Sequence, residues 1–505
     1  MSDSHDDHSY AEALDSTPTD PERARGPDLL NNSPWNKKDD NPDVVGWDGP
    51  DDPANPRNWA RRKKIGNIIM VSLMVFMVPL ASSMFAPGID QVMLEFRSDD
   101  QLIAAFVVSV FVLGFAFGPI MLAPLSEVYG RLKLYWTCNL LFFAFSIACA
   151  KAQTMAQLIA FRFLCGFFGG LPLACGGGTI TDLMDQEERG VAMAIFGAGP
   201  MMGPVAGPII GGFLSQAKGW RWVFWLLSIL SGACAIATFL LMSETYAPVI
   251  LQNKVERLKG ETGNANLRSA LDSGMAPSVA IKHSLLRPLK LLIFSPVVLG
   301  LSLFQAFCFG CLYLIFTTFT MVYDEVYHWS PGLQGLSFIP MGLGSIVGTF
   351  IFGLTSDRIL KWKTSQNGGE MKPEYRLYLL MPTAFGIPIG LFWYGWAAEE
   401  HAHWIVPILG TTFIGVGFFF SMVTVISYVM DAYTEYAASA VASVAVLRSM
   451  FGGILPLAGR QMYVTMGYGW GSSLLGFISV ALLPLPFLFY HFGERLRIRY
   501  PVKLR

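Results

Sequence analysis

Residues 123–133 read APLSEVYGRLK, and this short turn between two apolar stretches decides the fold. A related turn, GLTSDRILK, occupies residues 353–361. Both turns place a small residue four positions before an acid, and each follows an apolar stretch that holds the same position in its half of the chain. The two halves are therefore predicted to be copies of one unit, repeated in the same orientation.

The apolar stretches around these turns are long enough to cross a membrane. A bilayer core is about 30 Å thick and needs about 20 apolar helical residues. Twelve such stretches occur, six in residues 65–242 and six in residues 291–492. This pattern predicts an all-α membrane protein, with twelve transmembrane helices (spans 1 to 12) in two pseudo-symmetric six-helix bundles.

Polar segments precede, separate and follow the two halves. Residues 1–64 are rich in Asp, Pro and Asn and are predicted to be a disordered tail. Residues 243–290 are predicted to be a central polar loop, and residues 493–505 a short tail. Most of the 36 Lys and Arg residues fall in these segments and in turns on the same side, which predicts that both termini and the central loop are cytoplasmic.

Composition excludes several classes of protein. Only 14% of the residues are charged, whereas soluble domains carry about 25%. The net charge of −1 does not indicate nucleic-acid binding. The chain has no GxxxxGKS or GxxxxGKT motif for ATP, no HExxH motif for a metal, and no catalytic triad spacing. We expect a protein that is not an enzyme and that needs no ATP, metal or other cofactor.

The two turns and four further stretches resemble the major facilitator superfamily, in its fungal drug:proton antiporter branch with twelve spans. The four stretches are WDGPDDPANPRNW (47–59), GWRWVFW (219–225), SETYAPVIL (243–251) and YVMDAYTEYAASA (428–440). The chain departs from the family pattern in having Ala123 for Gly, Glu127 for Asp, and Leu360-Lys361 for the Gly-Arg pair of the second turn. The first turn is therefore expected to be the stronger of the two.

The resemblance implies that the first turn is a conformational latch that locks the outward-facing state. A carboxylate beside a guanidinium can form a charge-assisted hydrogen bond, and Asp182, at the end of span 4, is a further possible partner for Arg131. The alternative interpretation is an ordinary solvated turn. The candidate latch residues are Glu127, Gly130, Arg131, Asp182, Asp357 and Arg358.

Residues 197–212, GAGPMMGPVAGPIIGG, lie in the middle of span 5. Glycines spaced by four share one helix face, where another helix can approach closely. Prolines are tolerated there because neighbours in the membrane satisfy the freed carbonyls. The resemblance identifies this ladder as the antiporter motif typical of exporters. Its residues are Gly199, Pro200, Gly203, Pro204, Gly207, Pro208 and Gly211.

Charged residues within spans are rare and are usually functional. Arg162 lies in span 4, where the resemblance links a basic residue to proton transfer, and Arg448 lies near the middle of span 11. The spans contain almost no central carboxylate, so Asp90 and Asp431, near span ends, complete the proton-coupling candidates. Proton coupling is thus implied by the resemblance more than by these residues.

The substrate is expected to bind between the halves, near the middle of the membrane. Polar and aromatic residues there would suit amphipathic organic molecules. The candidates are Gln305 and Tyr313 in span 7 and Tyr428 at the end of span 10. For each of them, simple helix packing is an equally good interpretation.

The sequence therefore predicts a monomeric, multi-pass transporter of the plasma membrane, or alternatively of the vacuolar membrane. It would export small organic molecules, such as metabolites, toxins or drugs, and would be driven by the proton gradient. A polyamine:proton antiporter is the first alternative, and a nutrient-uptake symporter is a weaker one. A receptor or a membrane enzyme fits the repeated turns and the missing catalytic groups less well.

Overall fold

The computed structural model describes residues 43–185, 188–272 and 277–502. Within these residues, twelve helical spans are long and apolar enough to cross a membrane. Those of the first half are Arg61–Glu95, Gln101–Tyr129, Arg131–Ala150, Met155–Leu183, Arg189–Lys218 and Arg221–Leu241. Those of the second half are Pro296–Glu325, Pro331–Gln366, Pro373–Glu399, Ile405–Ala432, Ala437–Ile454 and Pro456–Arg499.

Some spans consist of two or three helical pieces. The pieces are Arg61–Ser83, Ala86–Gly88 and Ile89–Glu95 in span 1, Met155–Gly169 and Leu171–Leu183 in span 4, Pro331–Leu336 and Ile339–Gln366 in span 8, Pro373–Leu379, Leu380–Thr383 and Gly386–Glu399 in span 9, and Pro456–Leu482 and Pro484–Arg499 in span 12. A proline lies within the first three residues of every piece that follows a break except Ile89–Glu95, because proline is tolerated at a helix start and disrupts the interior. Span 5 is continuous despite its three prolines.

Each half has its own hydrophobic core. One cluster of buried side chains comes from spans 1 to 4 and span 6, with partly buried side chains of span 5 packed against it. The other comes from spans 7 to 12, with Val112 of span 2 added. The outer surface is also apolar, since Ile236, Phe239 and Leu240 are 64–70% exposed. Apolar side chains on both sides of the helices are what a bilayer requires, and the chain is a multi-pass membrane protein built as two six-helix bundles.

The segment just before span 1 corrects the prediction of a disordered tail over residues 1–64. Val44–Val45 pairs in parallel with Arg268–Ser269 of the central segment, and Pro56–Asn58 forms a short 3-10 helix. Lys254 binds the carboxylates of Asp48 (2.6 Å) and Asp52 (3.6 Å). Residues 43–60 are therefore folded against the central segment, whereas residues 1–42 lie outside the described residues.

The central segment and the C-terminal end also differ from the predicted polar loop and tail. The segment 243–290 contains the helix Ala247–Thr262 and most of the helix Pro277–Phe294. The last helix, Pro484–Arg499, continues beyond residue 492. Polar composition hid these helices because one face of each packs on the protein and the other meets solvent.

Two hydrogen bonds join the halves near one end of the spans. We call the side where span 1 begins and span 12 ends the terminal face, and the opposite side the far face. Near the far face, Ser109 Oγ donates a hydrogen bond to the carbonyl of Gly453 (2.8 Å), which joins spans 2 and 11. The N–H of Gly332 donates to Gln216 Oε1 (3.0 Å), which joins spans 8 and 5. The structure is thus closed at the far face.

Candidate transport site

A cavity lies between the two halves, and we call it the central cavity. Spans 1, 2, 4 and 5 line it from one half, and spans 7, 10 and 11 line it from the other. The space between its lining atoms, counted together with the open solvent that it joins, amounts to about 560 Å³. Among the described residues that line it, the polar ones are Ser82, Tyr313 and Arg448, and the rest are apolar or aromatic.

Arg448 is the charged residue of the central cavity. It is 5% exposed, and its guanidinium carbon lies 4.9 Å from the centre of the Phe309 ring, a cation–π distance. In the part of the chain that the structure describes, its Nε has no hydrogen-bond partner. The prediction left open whether Arg448 faces the cavity or a partner, and the structure places it at the cavity.

Arg162 is fully buried in the first half and is bonded to backbone carbonyls. Its Nε donates to Val107 (2.6 Å), and its Nη2 donates to Val108 (3.1 Å) and Ser82 (3.3 Å). Its guanidinium carbon lies 4.7 Å from the Phe85 ring centre. These bonds tie span 4 to spans 1 and 2, so Arg162 does not snorkel to the surface.

Ser82 and Tyr313 close the central cavity on its far side. Their hydroxyl oxygens are 2.9 Å apart, which links span 1 to span 7 across the two halves. Because Arg162 also binds the Ser82 carbonyl, this bridge connects to the buried cation of the first half. Tyr313 was predicted as a cavity residue, and the structure places it in the lining.

Gln305 and Tyr428 lie away from the central cavity, contrary to their predicted location. Gln305 is completely buried and faces Ser421 of span 10 (3.4 Å). The hydroxyl of Tyr428 donates to Glu374 at the terminal end of the second half (3.3 Å). Both residues pack within one bundle, which a polar residue in an apolar helix does as readily as it lines a cavity.

The glycines of span 5 form a ridge against span 1. All four are buried, and an added Cβ at any of them would meet atoms of residues 72–84. At Gly203 the Cβ would lie 2.9 Å from the backbone nitrogen of Leu80, and at Gly211 it would overlap the carbonyl oxygen of Met84. The close approach predicted from the glycine spacing is present.

The prolines of span 5 face elsewhere. Pro200 and Pro204 line the central cavity. The carbonyl of Pro208 lies against Gly335 at the start of span 8, where it leaves no room for a side chain. Span 5 therefore contacts span 1 with its glycines, the cavity with two prolines, and the other half with the third.

At the terminal face, Arg131 begins span 3 and binds Asp182 at the end of span 4 (2.8 Å). The carboxylate of Glu244, just after span 6, accepts hydrogen bonds from the N–H groups of Arg131 (3.1 Å) and Leu132 (3.0 Å). It thus caps the positive end of the span 3 helix. Gly130 has φ 96°, and Glu244 fills the space where a side chain would lie.

The second half repeats this arrangement with different residues. Arg376, in the 3-10 turn that begins span 9, binds Asp431 at the end of span 10. It also reaches Ser356 (3.0 Å) and Asp357 (3.5 Å) in the second turn. Each half therefore joins the start of its third span to the end of its fourth by one Arg–Asp pair. Arg358 is exposed and lies outside this network.

Of three candidate acids, Glu127 differs from the expected pairing, whereas Asp90 and Asp431 lie near span ends as predicted. Glu127 is exposed, and Arg131 pairs with Asp182 instead of with it. Asp90 lies within the helical part of span 1 at the far face, in a pocket that also contains Arg460. Asp431 is bound to Arg376. The structure thus places Asp182 and Asp431 in Arg–Asp pairs and Asp90 in a pocket beside Arg460.

Sequence reasoning missed Glu244 and Arg376. Glu244 follows span 6 within SETYAPVIL. The available signal was that span 3 begins after Gly130 without a capping side chain of its own, so an acid at the end of another span could cap it. Arg376 could have been found from the repeat, because it starts span 9 as Arg131 starts span 3. Arg358, the candidate latch arginine of the second turn, is not the residue that binds the acids there.

Two six-helix bundles that enclose a cavity closed at one face define a secondary membrane transporter. The chain belongs to the Major Facilitator Superfamily, whose family model matches residues 71–457. It is therefore a transporter and not an enzyme. The matched range includes both turns and the ladder of span 5, and it ends at the start of span 12.

Relatives in fungi match almost the whole chain. The MFS-type transporter tndD of Aspergillus flavipes is 50% identical over 460 residues, which is 90% of this chain and 86% of tndD. The efflux pump radE of Floropilus chiversii is 49% identical over 92% of this chain and 87% of its own length. Among solved structures, the partially occluded inward open xylose transporter XylE from E. coli superposes with a TM-score of 0.64 at 18% identity, over 85% of this chain and 98% of that chain. That last similarity shows the fold alone.

Proposed function

We propose that this transporter exports small amphipathic organic molecules, such as secondary metabolites, in exchange for protons. The observation that carries the proposal is the central cavity, which both halves line and whose lining is mostly apolar, with several aromatic rings. The name efflux pump, given to radE at 49% identity, supports export. So does the Gly-Pro ladder of span 5, which by resemblance is typical of exporters.

Orientation follows from charge. The basic segments before span 1, between the halves and after span 12 all lie at the terminal face, so this face is proposed to be cytoplasmic. The far face, where the halves meet, would then be the outside. The described state would be closed to the outside, and substrate would enter the central cavity from the cytoplasm. The protein would act as a monomer in the plasma membrane, with the vacuolar membrane as the alternative.

Alternating access would use the two Arg–Asp pairs at the terminal face. Arg131–Asp182 and Arg376–Asp431 hold the ends of neighbouring spans together. A proton on either acid would remove its charge and release the arginine. Protons entering from the outside would first meet the pocket of Asp90 and Arg460. The gradient would thus act on groups at both ends of the spans, with no bound cofactor.

A polyamine is a poorer substrate for this site. A polycation would need acids in the central cavity, and the described lining residues supply Arg448 instead. Uptake by symport has the support of fold similarity alone, since the D-xylose-proton symporter is 17% identical.

Deletion of the gene, followed by metabolite profiling of cells and medium, tests the proposal. A compound should accumulate in the cells and fall in the medium, and the wild-type gene should restore its release. A gene carrying Gly207→Leu should not restore it. Unchanged metabolite levels together with unchanged sensitivity to drugs would contradict export.

A further inference from the structure

The central cavity contains one cation with no compensating charge. Arg448 is 5% exposed, and in the described part of the chain its Nε has no hydrogen-bond partner and no acid forms an ion pair with it. The other polar groups of the lining, Ser82 and Tyr313, bind each other. The described lining residues include no acid. A buried cation in this state is costly, and membrane proteins keep such groups where they meet a partner.

The rest of the lining suits an aromatic body. Phe309 stacks on the guanidinium at 4.9 Å and lies 5.7 Å from Phe418, ring centre to ring centre. Phe316 packs edge-on against Tyr313 at 5.4 Å. Pro200 and Pro204 form an apolar wall from the other half. A flat ligand could lie among these groups with its charged end on Arg448, whose planar fork matches a carboxylate.

We propose that the central cavity selects organic anions: aromatic molecules with one ionised acidic group that pairs with Arg448. This deepens the proposed export function and rests on it. The anion supplies the charge that the protein lacks in the cavity, and the aromatic lining supplies the apolar contact. A neutral molecule of the same shape would lose the ion pair and leave the guanidinium buried without a partner.

The test uses two probes that differ only in charge. Radiolabelled 2-naphthoate carries a carboxylate, and 2-naphthamide is its neutral isostere. Binding is measured on the full-length protein in nanodiscs, with empty nanodiscs subtracted for lipid partition. The wild-type protein should bind naphthoate at least about 30-fold more tightly than naphthamide, as a buried charge pair allows.

Arg448 variants separate charge from packing. Arg448→Gln should weaken naphthoate binding at least about 30-fold and leave naphthamide binding unchanged, which also shows that the variant is folded. Arg448→Lys should recover most of the naphthoate affinity. The matched control is Arg257→Gln, on the exposed helix of the central segment, and it should bind both probes as wild type does. Equal wild-type affinity for the two probes, no naphthoate binding, or full naphthoate binding by Arg448→Gln would overturn the proposal.

A transport arm separates this proposal from the export function. Inside-out vesicles with an imposed proton gradient are loaded with each probe from outside. Gradient-driven accumulation of naphthamide equal to that of naphthoate would keep export and overturn anion selection. Selective binding of naphthoate without gradient-driven accumulation would keep the anion site and overturn proton-driven export.

Discussion

The glycine ridge of span 5 allows a graded test of close helix packing. Gly211→Ala adds one methyl group that overlaps the carbonyl oxygen of Met84. Span 1 must then move, because the obstacle is backbone and cannot change rotamer. Overpacking of this kind costs about 1–3 kcal/mol. At about 2 kcal/mol, the equilibrium constant that favours the close-packed arrangement falls about 30-fold. Transport should fall by a similar factor.

The same helix offers its own controls. A Cβ at Gly197 would meet no atom within 4 Å, so Gly197→Ala should transport as wild type does. Gly199→Ala places its Cβ 3.0 Å from the Phe76 nitrogen, a contact that a shift of a few tenths of an ångström relieves, and should have an intermediate effect. Gly203→Leu and Gly207→Leu should abolish transport.

Transport of a radiolabelled substrate into inside-out vesicles is measured, with the amount of membrane-inserted protein determined by surface labelling and blotting. All five variants should insert normally, since alanine and leucine favour insertion into a bilayer. Wild-type transport by Gly211→Ala, or by both leucine variants, would refute the close-contact explanation. Equal loss in Gly197→Ala would also refute it, because that residue faces open space.

Three further predictions concern the terminal face. Asp182→Asn should lower the free energy of unfolding by about 3 kcal/mol, because it leaves the mostly buried Arg131 without its carboxylate. Asp431→Asn should lower it less, because Arg376 keeps its contact with the exposed Asp357. An unchanged melting temperature in both variants would contradict the pairing. Glu244→Gln should cost about 1 kcal/mol by weakening the cap of span 3, whereas Glu256→Gln on the exposed helix should cost nothing measurable in the same melting assay. Burial would raise the pKa of Asp52, but hydrogen bonds from Asp48 and Ala54 and the charge of Lys254 hold it below its usual 3.8. The Asp52 carboxylate should therefore stabilise the fold of residues 43–60 fully above pH 3.8, and this stabilisation should be lost as the pH falls through the lower pKa of the folded state. Distances between spin labels at positions 45 and 269 measure this fold. Distances that lengthen already at pH 6 would contradict the prediction.

The sequence was sufficient for the overall fold because membrane spans and helix faces leave strong periodic signals. Twelve apolar stretches could be counted, and the spacing of Gly199 to Gly211 required a close helix neighbour. That neighbour, span 1, could not be named, since spacing describes one surface and not its partner. The Arg131–Asp182 pair could be predicted, because span 3 begins at Arg131 and span 4 ends near Asp182 on the same side of the membrane.

The interior of the second half was harder to predict. Gln305 and Tyr428 look like cavity residues by type, yet the side of the helix on which each lies depends on how span 7 and span 10 pack. The cost of a cation in mid-membrane predicted that Arg448 faces either the cavity or a partner, but it could not decide between the two. The order of residues 43–60 was hidden because it depends on Lys254, about 200 positions away in the sequence.

Accumulation of substrate in inside-out vesicles tests the central claim most directly. The vesicles carry an imposed proton gradient, acid inside, and the compound retained by the deletion strain is the substrate. Our account predicts accumulation that the gradient drives, that a protonophore abolishes, and that Gly211→Ala vesicles lack. Accumulation only in right-side-out vesicles, or accumulation that persists after the protonophore, would contradict it.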